Sequence, residues 1–331
     1  MVPEFTKIFS QDSQLYIGAI VLLMSVLLAR MAPLPRQLQP LVWLNNLALN
    51  LSIKVNHTHR APSQQIIAGV LSMLLLLLPF WLIISFFIEL AEFPWFFEAL
   101  VIYICLQDDH FRYIAREVSI AIQRDNKGRA RTLLQPWLNR RTQSLSNVGL
   151  SKVTIERLAT TPTYGIASTA LFYSIGGVPL LLAARMLKQL DNAWPVYNPQ
   201  YRFFGVGVYA LSSVVHFIPA KLWSFSLALQ GGPKSLAVLM NPKVNAPPIV
   251  EYQTSAVVAC ALRIELGGPA KFQSGNDTDK KVTFPKLKYG PLPGHADIQR
   301  ALKLNSMAFG LWTFAIILLP TLWGALRVIN G

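Results

Sequence analysis

The sequence predicts an all-α fold, a multi-pass integral membrane helical bundle with two large basic cytoplasmic segments. Three observations carry that expectation. The 331 residues are 53% hydrophobic, and the mean hydropathy is +0.39. Only 14% are charged, against about 25% in a typical soluble domain. The apolar residues gather in long runs, and most cations lie in the segments between them.

Leu15 to Ala29 is the first apolar run. It is short beside the roughly 20 residues that cross a hydrocarbon core. It lacks a small-residue cleavage site, so it reads as an uncleaved anchor. Residues 30–65 form a polar segment holding Arg30, Arg36, Lys54 and Arg60 and no acid. Ile66 to Ile88 is the strongest span, with an unbroken leucine run from Leu74 to Leu78. Pro79 is expected to kink it, and Glu89 and Glu92 mark its end. Residues 93–106 form a further apolar run containing Glu98, which is either an intramembrane functional acid or an interfacial one.

Residues 107–163 are polar and carry ten Lys/Arg against five Asp/Glu. Ile114, Val118 and Ala121 recur at helical spacing, which predicts a solvated amphipathic helix over 111–123. A span follows at 164–187. Another, at 203–229, carries Ser212, His216 and Lys221 near one helical face. Residues 230–306 again hold ten Lys/Arg against five Asp/Glu. Within them, 275–291 is rich in Gly, Lys and Pro and reads as a mobile loop. The last span is 307–326. The whole of 1–331 is read as one membrane domain.

With these spans, 30–65, 107–163 and 230–306 share one face and hold 24 of the 30 Lys/Arg. The positive-inside rule makes that face cytoplasmic. The same scatter of cations argues against a nucleic-acid partner despite the net charge of +14, because no aromatic-interleaved basic helix is present. The bilayer is the partner that the composition requires. Cys105 and Cys260 both sit in apolar runs and read as packing residues.

The stretch from Leu190 to Leu222 stands apart. Asp191, Asn198, Tyr201 and Arg202 fall within a dozen residues, between apolar runs, around Pro195 and Pro199. A polar turn held there suits a binding site. An interfacial loop anchored by Trp194, Tyr197 and Tyr201 is the plainer alternative.

Leu190, Asp191, Asn198, Tyr201, Arg202, Phe204, Gly205, Pro219, Ala220 and Leu222 also fall in step with a known pattern. It reads N-T-L-D-S-M-x-G-Y-x-N-x-R-Y-x-x-F-G, followed by D-D-x-x-N-x-x-P-A-R-L. Weaker blocks match in order along most of the chain: Pro40 and Trp43; Arg140 and Thr142; Glu156, Ala159, Gly165, Phe172, Gly177 and Pro179. Later blocks are Asn241 to Pro247, Leu266-Gly267-Gly268-Pro269, and Ala296-Asp297 onward. In these blocks the chain resembles the CbiB/CobD family, the membrane-bound adenosylcobinamide-phosphate synthases of cobalamin biosynthesis.

The resemblance implies a bacterial inner-membrane enzyme joining aminopropanol, or its phosphate, to the corrinoid cobyric acid through an amide bond. It implies Asp191 and Glu156 as catalytic carboxylates and Arg202 as an anion clamp. Asn198 and Tyr201 would orient the substrate, and Lys221 and Arg140 complete the expected substrate-binding set. Mg and ATP are the cofactors it brings, with no metal ligands assigned. Charged positions of the pattern are replaced here. Its His is Gln39, its R-D-T Asp is Arg141, and its E-N and following Asp are Thr160-Thr161 and Tyr164. Its paired Asp are Ser212-Ser213, and its Pro-Glu aligns with Thr254-Ser255, four residues after Glu251. Two roles follow: an amide-forming ligase with a changed site, or a non-catalytic sensor or accessory protein resembling the AmpE relatives.

Overall fold

The computed structural model describes residues 13–138, 140–242, 247–273 and 279–330. Asn139, the motif stretch 243–246 and residues 274–278, which include the start of the expected loop, lie outside these ranges. Helix dominates. α1 (Ser13–Met31) leads to α2 (Pro40–Val55), α3 (Pro62–Leu90) and α4 (Pro94–Cys105). The last three each open on a proline, whose fixed φ suits a first turn where its absent N–H is not missed. α5 (Phe111–Gln123), α6 (Lys127–Leu134) and α7 (Asn147–Pro162) follow. Asn126 caps α6 by accepting from the Arg129 N–H, and Ser146 caps α7 by accepting from that of Gly149. α8 (Ser168–Ala193), α9 (Val206–Val215), α10 (Phe217–Gly231), α11 (Pro233–Met240), α12 (Ile249–Leu262) and α13 (His295–Asn330) complete the helices.

Among the described residues, three helical stretches are long and apolar enough to cross a membrane: Pro62–Leu90, Asn147–Ala193 and His295–Leu326. α9 and α10 make a fourth if their pair, bent by 55° at His216, is one span. Leu71, Leu75, Phe86 and Phe87 on α3 and Leu311 and Phe314 on α13 are exposed. Apolar exposure on that scale belongs against lipid. The chain is therefore a helical membrane protein. α4 has 12 residues, a rise of about 18 Å, so it cannot cross alone; it packs on α1 and α8. A π turn at Thr163–Ala167 joins α7 to α8, at the point where the sequence placed the start of a span.

Two small antiparallel sheets amend the all-α expectation. β1 (Glu265–Leu266) pairs with β4 (Leu287–Lys288), and β2 (Pro269–Gln273) pairs with β3 (Asp279–Thr283). From residue 279, the region read as a mobile loop is thus largely paired strand. Ala270 and Phe272 point inward and Lys271 outward, the period-two alternation of a half-buried strand. The Lys- and Pro-rich composition hides so short an alternation.

The larger core gathers Phe111 and Val118 of α5, Leu150 and Ile155 of α7, Val257 of α12 and Ile298 of α13. A second core surrounds Trp194 and Phe204, with Leu44 and Ala48 of α2 and Leu187 and Leu190 of α8. Trp194 is fully buried and donates its ring N–H to the Ala48 carbonyl at 3.0 Å. It is a core side chain and not an interfacial anchor.

Candidate functional site

Residues from all three basic segments meet in one cleft of about 240 Å³. Arg36, Gln39 and Asn45 come from the first, and Arg140, Lys152, Glu156, Arg157 and Thr160 from the second. The third gives Glu251, Tyr252, Gly267 and Phe272, while Gln189, Asn192 and Tyr197 close the remaining side. α7 supplies a whole wall: Gly149, Lys152, Val153, Glu156, Arg157 and Thr160 line the cleft, at the three- and four-residue spacing of one helix face.

Two contacts fasten that wall to the β1–β2 turn. Glu156 accepts the Gly267 N–H at 2.7 Å and meets the Arg140 guanidinium at 3.5 Å. Lys152 donates to Glu265 at 2.7 Å and to the Gly267 carbonyl at 3.3 Å. Gly267 has φ +72, and a Cβ there would run into the Pro285 carbonyl oxygen. Glycine is therefore required at this point of the Leu-Gly-Gly-Pro match.

Behind the cleft lies a buried charge network. Lys188 donates to Glu251 at 2.6 Å and to Asp191 at 2.7 Å. Ser212 donates to the same Asp191 oxygen at 3.2 Å. The Lys188 ammonium also sits 4.2 Å from the Tyr164 ring, and the Tyr164 hydroxyl hydrogen-bonds Glu251. Burial alone would raise the Glu251 pKa, but the Lys188 charge and these hydrogen bonds outweigh it and hold the carboxyl below its ordinary value. Burial and the Glu251 charge push Tyr197 up to about 12, so its phenol stays protonated. Burial likewise raises Tyr252, whose hydroxyl donates to the Pro285 carbonyl.

The expected site residues separate into two groups. Glu156 and Arg140 are in contact and both line the cleft. Asp191 is buried one step behind it, reaching the cleft through Lys188 and Glu251. Asn198, Tyr201, Arg202 and Lys221 are not among the lining residues. Asn198 accepts the Gln200 N–H, and the Tyr201 hydroxyl lies 3.4 Å from that of Ser52. Both interactions brace the turn after α8. Arg202 is exposed over the Phe203 ring. Lys221 reaches the Leu239 carbonyl at 3.5 Å.

Lys188, Glu251 and Arg157 carry charge in or against the cleft and were not among the expected site residues, although Glu251 was noted four residues before Ser255. Lys188 had a legible signal, a cation at the end of an apolar helix three residues before an acid. Among the described residues no three His, Cys, Asp or Glu side chains cluster as metal ligands. The two cleft carboxylates, Glu156 and Glu251, each hold a cation of the protein. This donor set does not fit a protein-built cage for Mg²⁺.

Comparison with known proteins adds to this geometry. The chain is 26% identical over 195 residues to a Chromobacterium violaceum protein named cobalamin biosynthesis protein CobD, covering 58% of this chain and 60% of that one. It is 26% identical over 194 residues to the Salmonella typhimurium cobalamin biosynthesis protein CbiB, covering 57% and 60%. With a CobD of Stutzerimonas stutzeri it is 24% identical over 252 residues, covering 75% and 81%. The first two matches thus span less than two thirds of those relatives' own length. No solved structure matches significantly. The family model described as CobD/Cbib protein matches residues 22–305, and the chain belongs to that family.

Proposed function

We propose that this protein acts in cobalamin biosynthesis, joining aminopropanol or its phosphate to cobyric acid through an amide bond. One observation carries the reading: the cleft sets four cations, Arg36, Arg140, Lys152 and Arg157, against two carboxylates, Glu156 and Glu251. That balance suits a small ligand bearing both an anionic group and an amine. The volume is below the roughly 300–1,000 Å³ of drug-sized pockets, so the cleft takes the small partner and the corrinoid stands at its mouth. Amide formation requires an ammonium to lose a proton before it attacks the acid carbon. Glu251, ionised and facing the cleft, is placed to take that proton. The basic segments that build the cleft would lie on the cytoplasmic side of a bacterial inner membrane. By family resemblance ATP would be the co-reactant: phosphorylation of the cobyric acid carboxyl would let phosphate leave as the C–N bond forms.

A second reading is binding without turnover, as in a sensor or accessory protein. It is favoured by the pairing of every acid at the site: Glu156 with Arg140, and Asp191 and Glu251 with Lys188. The deciding assay supplies the detergent-purified protein with adenosylcobyric acid, aminopropanol phosphate, nucleotide and Mg²⁺. Amide product detected by mass spectrometry supports the ligase. Absence of product, beside an active family member run in parallel, supports the second reading.

A further inference from the structure

The charged residues of the α7 wall differ in what they already hold. Lys152 is taken by Glu265 and the Gly267 carbonyl, and Glu156 by Arg140 and the Gly267 N–H. Arg157 makes no side-chain hydrogen bond or ion pair with a described residue, and its Nε is buried without an acceptor. A guanidinium never deprotonates in a protein and presents five N–H donors in a fixed fork. Burying one of them unmatched is unfavourable until an acceptor arrives.

Tyr197 completes the arrangement. It lines the same cleft and lies close enough to Arg157 to feel its charge. Its ring is fixed against Phe272 and Phe284, at centroid distances of 5.3 and 5.6 Å. Its protonated hydroxyl has no hydrogen-bond partner among the described residues and can donate. The cleft's surplus of positive charge favours the phosphate end of such a ligand, a monoester group that by itself carries about −1.5 to −2 at neutral pH.

We propose that Arg157, with the Tyr197 hydroxyl, forms the subsite that holds the phosphate of the small substrate. The assignment rests on the reading of the cleft given under Proposed function. It places phosphate recognition on α7, and the protein's own guanidinium makes the contact without a bridging divalent cation.

The test is isothermal titration of the detergent-purified full-length protein with aminopropanol phosphate in EDTA, with unphosphorylated aminopropanol as the comparison ligand. The wild type should bind the phosphate ester measurably more tightly than the alcohol. Arg157→Gln should weaken that binding by about a hundredfold, from loss of a charge-assisted fork. Arg157→Lys should fall between the two, and Tyr197→Phe should lose about tenfold. Exposed Arg116→Gln should bind as the wild type does.

Unchanged affinity in Arg157→Gln overturns the proposal, as does a wild type that does not separate the phosphate from the alcohol. Should Arg157→Gln fail to fold, wild-type affinity in both Arg157→Lys and Tyr197→Phe overturns it equally. Loss of amide product with Arg157-dependent phosphate binding intact would sink the ligase reading and leave the subsite standing.

Discussion

The Lys188 ammonium donates to Glu251 at 2.6 Å, joining two residues 63 positions apart and tying the end of α8 to the start of α12. The same ammonium holds Asp191, and its side chain is only 5% exposed. Lys188→Met would leave two carboxylates beside each other with their shared counter-charge removed. Breaking a buried pair by deleting one partner costs about 3–5 kcal/mol. The variant is expected to unfold at a clearly lower temperature in detergent, and Lys188→Met with Glu251→Gln should recover part of the loss. A Lys188→Met melting point equal to the wild type would show that the network adds no stability.

The turn after α8 gives a second expectation. A Cβ on Gly205 would be driven into the Trp194 carbonyl oxygen, a backbone atom that cannot rotate away. Trp194 and Phe204 fill the second core beside it. Overpacking of this kind costs about 1–3 kcal/mol. Gly205→Ala should lower the melting temperature and raise protease sensitivity, whereas exposed Gly294, with nothing within reach of an added Cβ, should tolerate alanine.

How far the sequence disclosed this site depends on what each residue touches. An unbroken apolar run placed α3, and the helical spacing of its apolar residues placed α5. The Leu-Gly-Gly-Pro match was legible as a block of the family pattern, but its purpose lies in Glu156, 111 residues away. The four-residue step from Glu251 to Ser255 was visible, yet only the fold puts Glu251 on Lys188. Positions where the family pattern has acids now surround the remaining ones. Ser212 donates to Asp191, Tyr164 to Glu251, and Thr160 lines the cleft, as does Gln39 where the pattern has His. Charge has been exchanged for neutral hydrogen-bonding groups, and no local periodicity records where such groups converge.

Acid should weaken the strap that binds α7 to β1. The hydrogen bond from Lys152 holds the Glu265 carboxyl below its ordinary pKa. A depressed folded-state value means that the stabilisation is complete above the unfolded value, about 4.3, and is lost as pH falls through the folded value. Wild type should therefore melt above Glu265→Gln at pH 7, and the gap should close as the pH drops below about 4. A gap that stays constant across that range would mean the ion pair is not its source.

Catalysis, if the ligase reading holds, should separate the two acids that share Lys188. Glu251 lines the cleft and can meet the substrate amine, whereas Asp191 acts on it only through Lys188. Glu251→Gln removes the proton acceptor and is expected to lower kcat by about a hundredfold or more, with a smaller change in KM. Asp191→Asn is expected to lower turnover by a different route and by less. With one carboxylate gone, Lys188 pairs with Glu251 alone, and the lowered Glu251 becomes a still weaker base. The two variants should therefore differ in how the residual rate depends on pH. Residual activity in Glu251→Gln, left without a base, should follow the solution titration of the amine, whereas Asp191→Asn keeps Glu251 as the acceptor and should retain part of its rate below that titration. Full activity in Asp191→Asn would remove that residue from the reaction, and full activity in Glu251→Gln would remove the proposed base.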